Sequence, residues 1–191
     1  MPDLLQPVAF SMLDFPKRKF SYEDYLKLDD DNKYELVEGE LIVVPRPRPR
    51  HQRVLNKLVY AFEGFLQKNP VGEFYTDLDV HLGDAVVAPD LLYISKDRAQ
   101  IVGEINIQGA PDLVVEVLSP ATAKYDKKEK GRLYFNCGVK EFWLVDPEDR
   151  LVEVYRAGET NWEWVGVFDA EDILTTPLLP GFQLVLENVL M

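Results

Sequence analysis

The chain has 191 residues, 47% of them apolar, and 21 basic against 33 acidic side chains give a formal net charge of −12. That length and apolar content predict one domain of α/β or α+β type with a sizeable core. No stretch approaches eighteen consecutive apolar residues, which excludes a hydrophobic membrane-spanning helix, and the single Cys137 excludes an internal disulfide and fits a reducing cytoplasm.

Residues 1–20 read as an N-terminal extension that lacks the basic start and apolar run of a signal peptide, and residues 21–191 as the domain. Ser21 with Asp24 opens a short helix through Leu28 in a capping arrangement, and Asp29-Asp-Asp-Asn32 breaks it. Lys33 to Val37 and Glu40 to Val44 predict a hairpin around Glu38-Gly39. Arg46-Pro-Arg-Pro-Arg50 is too rich in proline for a helix or an inner strand and reads as an extended connector. A long helix follows over His51 to Gln67, with Val54, Leu55, Leu58, Phe62, Phe65 and Leu66 as its apolar side.

Phe74 to Leu82 alternates as one strand, and Val86 to Ile94 reads as another that contains Pro89-Asp90. Residues 95–110 look irregular. The run Leu113 to Leu118 is apolar on both faces, as in an inner strand covered on both sides, and Glu116 interrupts it. Ser119-Pro120 ends that strand, and Ala121 to Cys137 reads as a helix closed by Asn136 and Gly138. Glu141 to Val145, Leu151 to Tyr155 and Trp162 to Phe168 are further strands, with a turn at Asp146-Pro-Glu-Asp149, and the segment from Thr175 reads as a loop and a short strand. There are no Cys/His clusters, no glycine-rich phosphate loop and no Gly-x-Ser-x-Gly elbow.

Burying a charge is expensive unless it is paired, holds a metal or shifts its pKa to neutrality. Glu116 on its apolar strand is therefore informative, and so is Lys130. At about 100° per residue, Ala123, Asp126, Lys130, Leu133, Tyr134 and Cys137 share one helix arc with Lys130 near its centre. Lys124 and Lys128 point away from that arc, and Lys127 lies at its margin. A second carboxylate for a metal would have to come from elsewhere. Asp112 and Glu116 are about 13 Å apart along one strand, awkward for two ligands of one ion. Asp90 on an adjacent strand could converge with Glu116. The alternatives are a structural Glu116–Lys130 ion pair and an Asp90 that only caps the turn after Pro89.

Pro89-Asp90, Glu116 and Lys130 resemble a PD-(D/E)xK nuclease site in which Leu118 occupies the usual lysine position and the lysine has moved to the helix. That variant is similar to a large bacterial family of restriction-endonuclease-like proteins, first known as a domain of unknown function and abundant in cyanobacteria. The similarity covers about residues 20–157 and includes Tyr34-Glu-Leu-Val-Glu-Gly-Glu40, His51, Pro89-Asp90, Ala110 to Pro120, Asp126, Lys130, Tyr134 and Glu141-Phe-Trp-Leu-Val-Asp-Pro147.

The resemblance implies a restriction-endonuclease-like α/β (α+β) fold, a mixed central sheet flanked by helices with additional antiparallel strands. It implies Mg2+- or Mn2+-dependent hydrolysis of DNA phosphodiesters, with Asp90, Glu116 and Lys130 catalytic. Asp90, Glu116 and the backbone carbonyl of Val117 would be metal ligands, with Glu35 and His51 auxiliary, and the protein would be a homodimer. Two bland alternatives stand beside these roles: a helix histidine is commonly a surface or cap residue, and Glu35 in a hairpin strand could face water.

The negative net charge opposes nucleic-acid binding. Its distribution does not, because Arg46, Arg48, Arg50, Arg53 and Lys57 form one basic run and Lys124, Lys127, Lys128, Lys130, Arg132 and Lys140 a second cluster, 11 of the 21 basic residues. Arg46, Arg48, Arg50, Arg53 and Lys127 are the expected DNA contacts if these runs border a groove. If they do not, they are ordinary solvated surface. Two functional readings follow: a metal-dependent endodeoxyribonuclease, or a non-catalytic binding or regulatory module that keeps the nuclease-like fold.

Overall fold

A computed structural model describes residues 19–120 and 122–191, so residues 1–18 of the expected extension and Ala121, the expected start of the crossover helix, lie outside the described residues. The chain begins with α1 (Tyr22–Tyr25), whose N-cap Ser21 and Asp24 form the expected reciprocal capping box. The helix is shorter than its sequence suggested, because only turn-like hydrogen bonds continue to Leu28. β1 (Tyr34–Val37) and β2 (Glu40–Val43) form the hairpin. Glu38 and Gly39 both have positive φ, the condition of the two-residue turn that matches strand twist.

The long helix α2 (Pro49–Leu66) starts two residues earlier than His51. Proline is tolerated in a first helical turn, where its missing N–H has no intrahelical acceptor to serve, so Pro49 belongs to the helix rather than to the connector. Val54, Leu55, Leu58, Phe62 and Leu66 are its buried stripe.

Both long central strands of the sequence reading are broken in the structure. Phe74 to Leu82 divides into β3 (Gly72–Tyr75) and β4 (Val80–Leu82), and Val86 to Ile94 divides into β5 (Ala85–Val87) and β6 (Leu91–Ser95). The reason is shared: in each case the chain leaves one sheet and enters another. Asp77, with φ of 55°, marks the first corner. Pro89, which cannot donate to a ladder, marks the second. Residues 95–110 contain a 3-10 helix (Lys96–Ile101) and the short β7 (Ile107–Gln108).

β8 (Leu113–Val117) is buried along its whole length. It is followed by a helical crossover composed of α3 (Ala123–Tyr125), a π-helical turn (Asp126–Lys130) and α4 (Gly131–Cys137). The crossover was expected as one regular α-helix, and the π turn is the difference. Residues four apart on an α-helix drift by about 40°, and the wider turn offsets that drift between Asp126 and Tyr134. Gly138, with φ of 92°, supplies the left-handed cap that ends α4. β9 (Glu141–Asp146), β10 (Leu151–Ala157) and β11 (Trp162–Phe168) follow much as the alternation suggested. The chain then forms the small β12 (Ile173–Leu174) and β13 (Leu184–Val185) pair and α5 (Leu186–Leu190), a helix the sequence reading lacked. At five residues, α5 is too short for apolar periodicity to declare it.

The strands form a five-stranded sheet in the order β2-β1-β5-β4-β7 and a six-stranded sheet in the order β11-β10-β9-β8-β6-β3. Within the larger sheet β8 and β9 are parallel, and its other pairs are antiparallel. A parallel pair needs a long crossover, which the α3–α4 segment provides. The expected mixed sheet flanked by helices, with added antiparallel strands, is therefore the architecture observed.

A separate apolar cluster covers each face of the larger sheet. Leu113, Val115 and Val117 join Phe62, Trp143, Phe182 and the α2 stripe on one face. Val114 joins Phe142, Leu144, Tyr134 and residues of the smaller sheet on the other. Phe62 packs 4.9 Å from Phe182 and 6.1 Å from Trp143 between ring centroids, contacts each worth about 0.5–1.5 kcal/mol beyond burial. Because side chains alternate, Glu116 must share the face of Val114. It is directed toward the smaller sheet and the crossover helix.

Candidate active site

Glu116 is brought to its partners by strand alternation, and Lys130 by the π turn. The Lys130 ammonium lies 2.7 Å from Glu116 Oε1, 3.0 Å from Glu35 Oε1 and 3.6 Å from Asp126 Oδ1. All four residues are buried, none more than 5% exposed. Glu35 therefore does not face water. Its strand belongs to the smaller sheet, and it also accepts a 3.1 Å hydrogen bond from the Ala88 N–H, one residue before Pro89. Tyr134, one helical turn beyond Lys130, donates its hydroxyl to Glu116 Oε1 at 2.6 Å.

Asp90 occupies the corner between β5 and β6. Its Oδ2 accepts the Val117 N–H at 2.7 Å and lies 3.1 Å from His51 Nε2. The carboxylate is thus tied to the residue that follows Glu116. His51 sits in the first turns of α2 and is mostly buried rather than a surface cap, and its Nδ1 is buried without a partner among the described residues. Glu35, His51, Asp90, Glu116, Val117 and Lys130 line one cleft.

The five expected DNA contacts divide. Arg46 and Arg48 line the cleft. Arg50 and Arg53 are exposed on the first turns of α2, and Arg50 pairs with Glu148 at 2.6 Å. Lys127 is exposed outside the cleft lining and pairs with Glu153 at 2.8 Å. Two tyrosines had been given no role. Tyr134 was placed on the inward arc and among the residues of the resemblance, and its bond to Glu116 has no signal in sequence spacing. Tyr125 lines the cleft with Lys130 Nζ 6.0 Å from its ring centroid, and its buried hydroxyl faces Glu35 without a well-formed hydrogen bond.

Around the buried Lys130, the cleft brings together the carboxylates of Glu35, Asp90, Glu116 and Asp126 and the His51 imidazole. Burial, then the fields of Asp126, Asp90 and Glu35, push the Glu116 carboxyl up to about 8 despite the opposing pull of Lys130. Burial likewise raises Asp126. Burial by itself would lower Lys130, but the combined fields of Glu116, Glu35, Tyr134 and Asp126 outweigh it and hold the ammonium charged. His51 is raised as well, its desolvation overcome by the hydrogen bond and charge of Asp90. Lys130 is the cation of the cluster, and the carboxylates around it exceed the charge it can neutralise.

Among the described residues no three His, Cys, Asp or Glu side chains form a metal cage. Asp90 and Glu116 offer two carboxylates, to which a main-chain carbonyl can add a third oxygen. The chemistry of the donors, oxygens in excess of the positive charge available, fits a hard divalent cation.

A mixed sheet whose parallel pair is crossed by a helix carrying a buried lysine back to a strand glutamate defines a restriction-endonuclease-like protein. The chain belongs to the Uma2 family, described as "Putative restriction endonuclease", whose model matches residues 22–187. A crystal structure from Anabaena variabilis, described as "a putative nuclease belonging to DUF820", has the same fold, with a TM-score of 0.77 at 22% identity over 90% of this chain and 97% of that one. Two Synechocystis proteins are also similar. The uncharacterized protein sll1609 is 23% identical over 145 residues, 73% of this chain and 82% of that protein. The uncharacterized protein slr1290 is 25% identical over 155 residues, 78% and 80% of the respective chains. Among the described residues no helix is long and apolar enough to cross a membrane.

Proposed function

We propose that the protein is a metal-dependent endodeoxyribonuclease that hydrolyses phosphodiester bonds in DNA. The observation that carries this reading is the excess of carboxylate around a single buried ammonium in an open cleft, within a chain of the restriction-endonuclease-like family. Asp90, Glu116 and the Val117 carbonyl would hold Mg2+ or Mn2+. When bound, the cation supplies Lewis-acid polarisation of a phosphoryl oxygen and acidifies a coordinated water.

The chain's own residues do the rest. Lys130, held charged by Glu35 and Glu116, presents a fixed positive charge to the negative charge that develops on the phosphate. Asp90 is oriented by the Val117 N–H and His51. Glu35 positions the lysine from the opposite sheet. Residues 21–191 act as one domain in this reading, and a homodimer in the cytoplasm would bring one such site to each strand of a duplex.

The test is calorimetric titration with Mn2+ and Mg2+ alongside incubation of supercoiled plasmid with either metal. Metal binding at millimolar concentration or tighter and metal-dependent nicking are expected. Neither heat nor nicking would leave the non-catalytic module as the function.

Metal affinity should also depend on pH in a defined direction. Protons compete with the cation for Glu116, whose carboxyl burial pushes up to about 8. The apparent affinity for Mn2+ should therefore tighten with rising pH by up to about tenfold per unit below that value and level off above it. Stability of the metal-free protein carries the opposite sign. A carboxyl whose folded pKa lies above its unfolded one contributes stability in full below about 4.5 and loses it as pH rises through about 8. A calorimetric pH series in which Mn2+ affinity stays flat would rule out Glu116 as a ligand.

A further inference from the structure

The Pro45-Arg46-Pro47-Arg48 segment is the part of the cleft wall that the chemistry above leaves unused. Prolines at alternate positions fix φ and withhold donors, so the segment is a stiff, extended strut. Arg48 accordingly has φ of −82° and ψ of 158°. A chain of this form rises about 3.1 Å per residue, which separates Arg46 from Arg48 by about 6 Å along the strut. Both residues are exposed and line the cleft that contains Asp90, Glu116 and Lys130.

The other cations near the site are mostly engaged. Arg50 pairs with Glu148, Lys127 with Glu153, Arg132 with Glu38 and Glu129, and Lys140 with Asp112. Lys57 donates to the Met191 carbonyl. Arg46 and Arg48 form no ion pair among the described residues, so their guanidinium groups are available to a ligand.

We propose that Arg46 and Arg48 hold two successive phosphates of one nucleic-acid strand and carry that strand over the carboxylate cluster. Their separation along the strut is comparable to that of neighbouring phosphates in a strand, and each guanidinium binds a phosphate through two parallel N–H donors. The prolines reduce the freedom lost on binding, because the strut is already extended. The acidic cluster repels a bare phosphate, so a polyanion entering without metal is held by this pair. The inference rests on the nuclease reading for the identity of the ligand and extends it to how the strand is held.

Fluorescence anisotropy tests it, with a fluorescein-labelled 16-base-pair duplex and its single strand titrated by the full chain in EDTA over a series of salt concentrations. The slope of log K against log salt should shrink in R46Q/R48Q by about 1.8 for the duplex or about 1.4 for the single strand, the signature of two lost phosphate contacts. K96Q, in the 3-10 helix that follows β6 and at the opposite end of that strand from Asp90, should leave the slope unchanged. An unchanged slope in R46Q/R48Q, or a wild-type protein that binds neither probe, overturns the proposal. Plasmid nicking with Mn2+ separates this outcome from the fate of the nuclease reading. Nicking together with an unchanged R46Q/R48Q slope keeps the nuclease and removes the strut. A reduced slope without nicking under either metal keeps the strut on a binding module.

Discussion

Asp90→Asn is expected to slow metal-dependent nicking of supercoiled plasmid on the order of 10³-fold at saturating Mn2+. The substitution keeps the side chain's volume and one carbonyl oxygen, which can still accept the Val117 N–H that now bonds Asp90 Oδ2 at 2.7 Å. It removes the negative charge that a cation requires. Electrophilic stabilisation by a metal is worth several kcal/mol, and about 4 kcal/mol corresponds to that loss in rate. Because Asp90 lies at a corner rather than in a ladder, urea unfolding should place the variant within about 1 kcal/mol of wild type. Cutting at the wild-type rate by a folded Asp90→Asn protein would move the active centre elsewhere.

Lys130→Met should have the largest effect on stability, a loss of about 3–5 kcal/mol in urea at neutral pH with an unchanged m-value. The methionine fills much of the space, but Glu35, Glu116 and Asp126 lose the cation they share. The loss should fall toward the lower end of the range, because burial already raises the Glu116 carboxyl, and without the opposing pull of Lys130 it retains a proton. The lysine's own contribution is fully present below about 10.5, since its folded pKa lies above the unfolded value. Adding Glu35→Gln and Glu116→Gln to Lys130→Met should restore part of the loss by removing the unpaired charge. If Lys130→Met alone unfolds within about 1 kcal/mol of wild type, the buried cluster does not hold the sheets together.

Much of this site was legible because it lies on regular elements. Strand alternation fixed the face of Glu116, and helical periodicity selected Lys130 from its neighbouring lysines. Asp90 was a candidate on its own strand and the resemblance favoured it over a turn cap, but no periodicity could have placed it, since its position depends on a chain reversal between two sheets. The same corner explains the misread strands: Val86 to Ile94 is a continuous apolar run in sequence, and a run does not record which sheet each half enters. Glu35 was named but could not be oriented, because its burial depends on the smaller sheet lying against the crossover helix. The π turn was invisible for a related reason. Asp126, Lys130 and Tyr134 already share a face at ordinary helical spacing, so the sequence contains no irregularity to announce it. The bonds of Tyr134 and Arg50 are tertiary contacts with no local pattern.

The reach of Glu35 from β1 to Lys130 beyond β8 also has a kinetic consequence. These residues come from distant parts of the sequence, and their meeting closes a long loop whose entropy must be lost before the contact returns anything. The local hairpin and α2 can form early, whereas the lysine gains its full set of carboxylates only when both sheets have docked. During refolding, any competence to bind Mn2+ should therefore emerge with the slowest phase, after the helical signal, so that a partly folded chain carries no assembled candidate site.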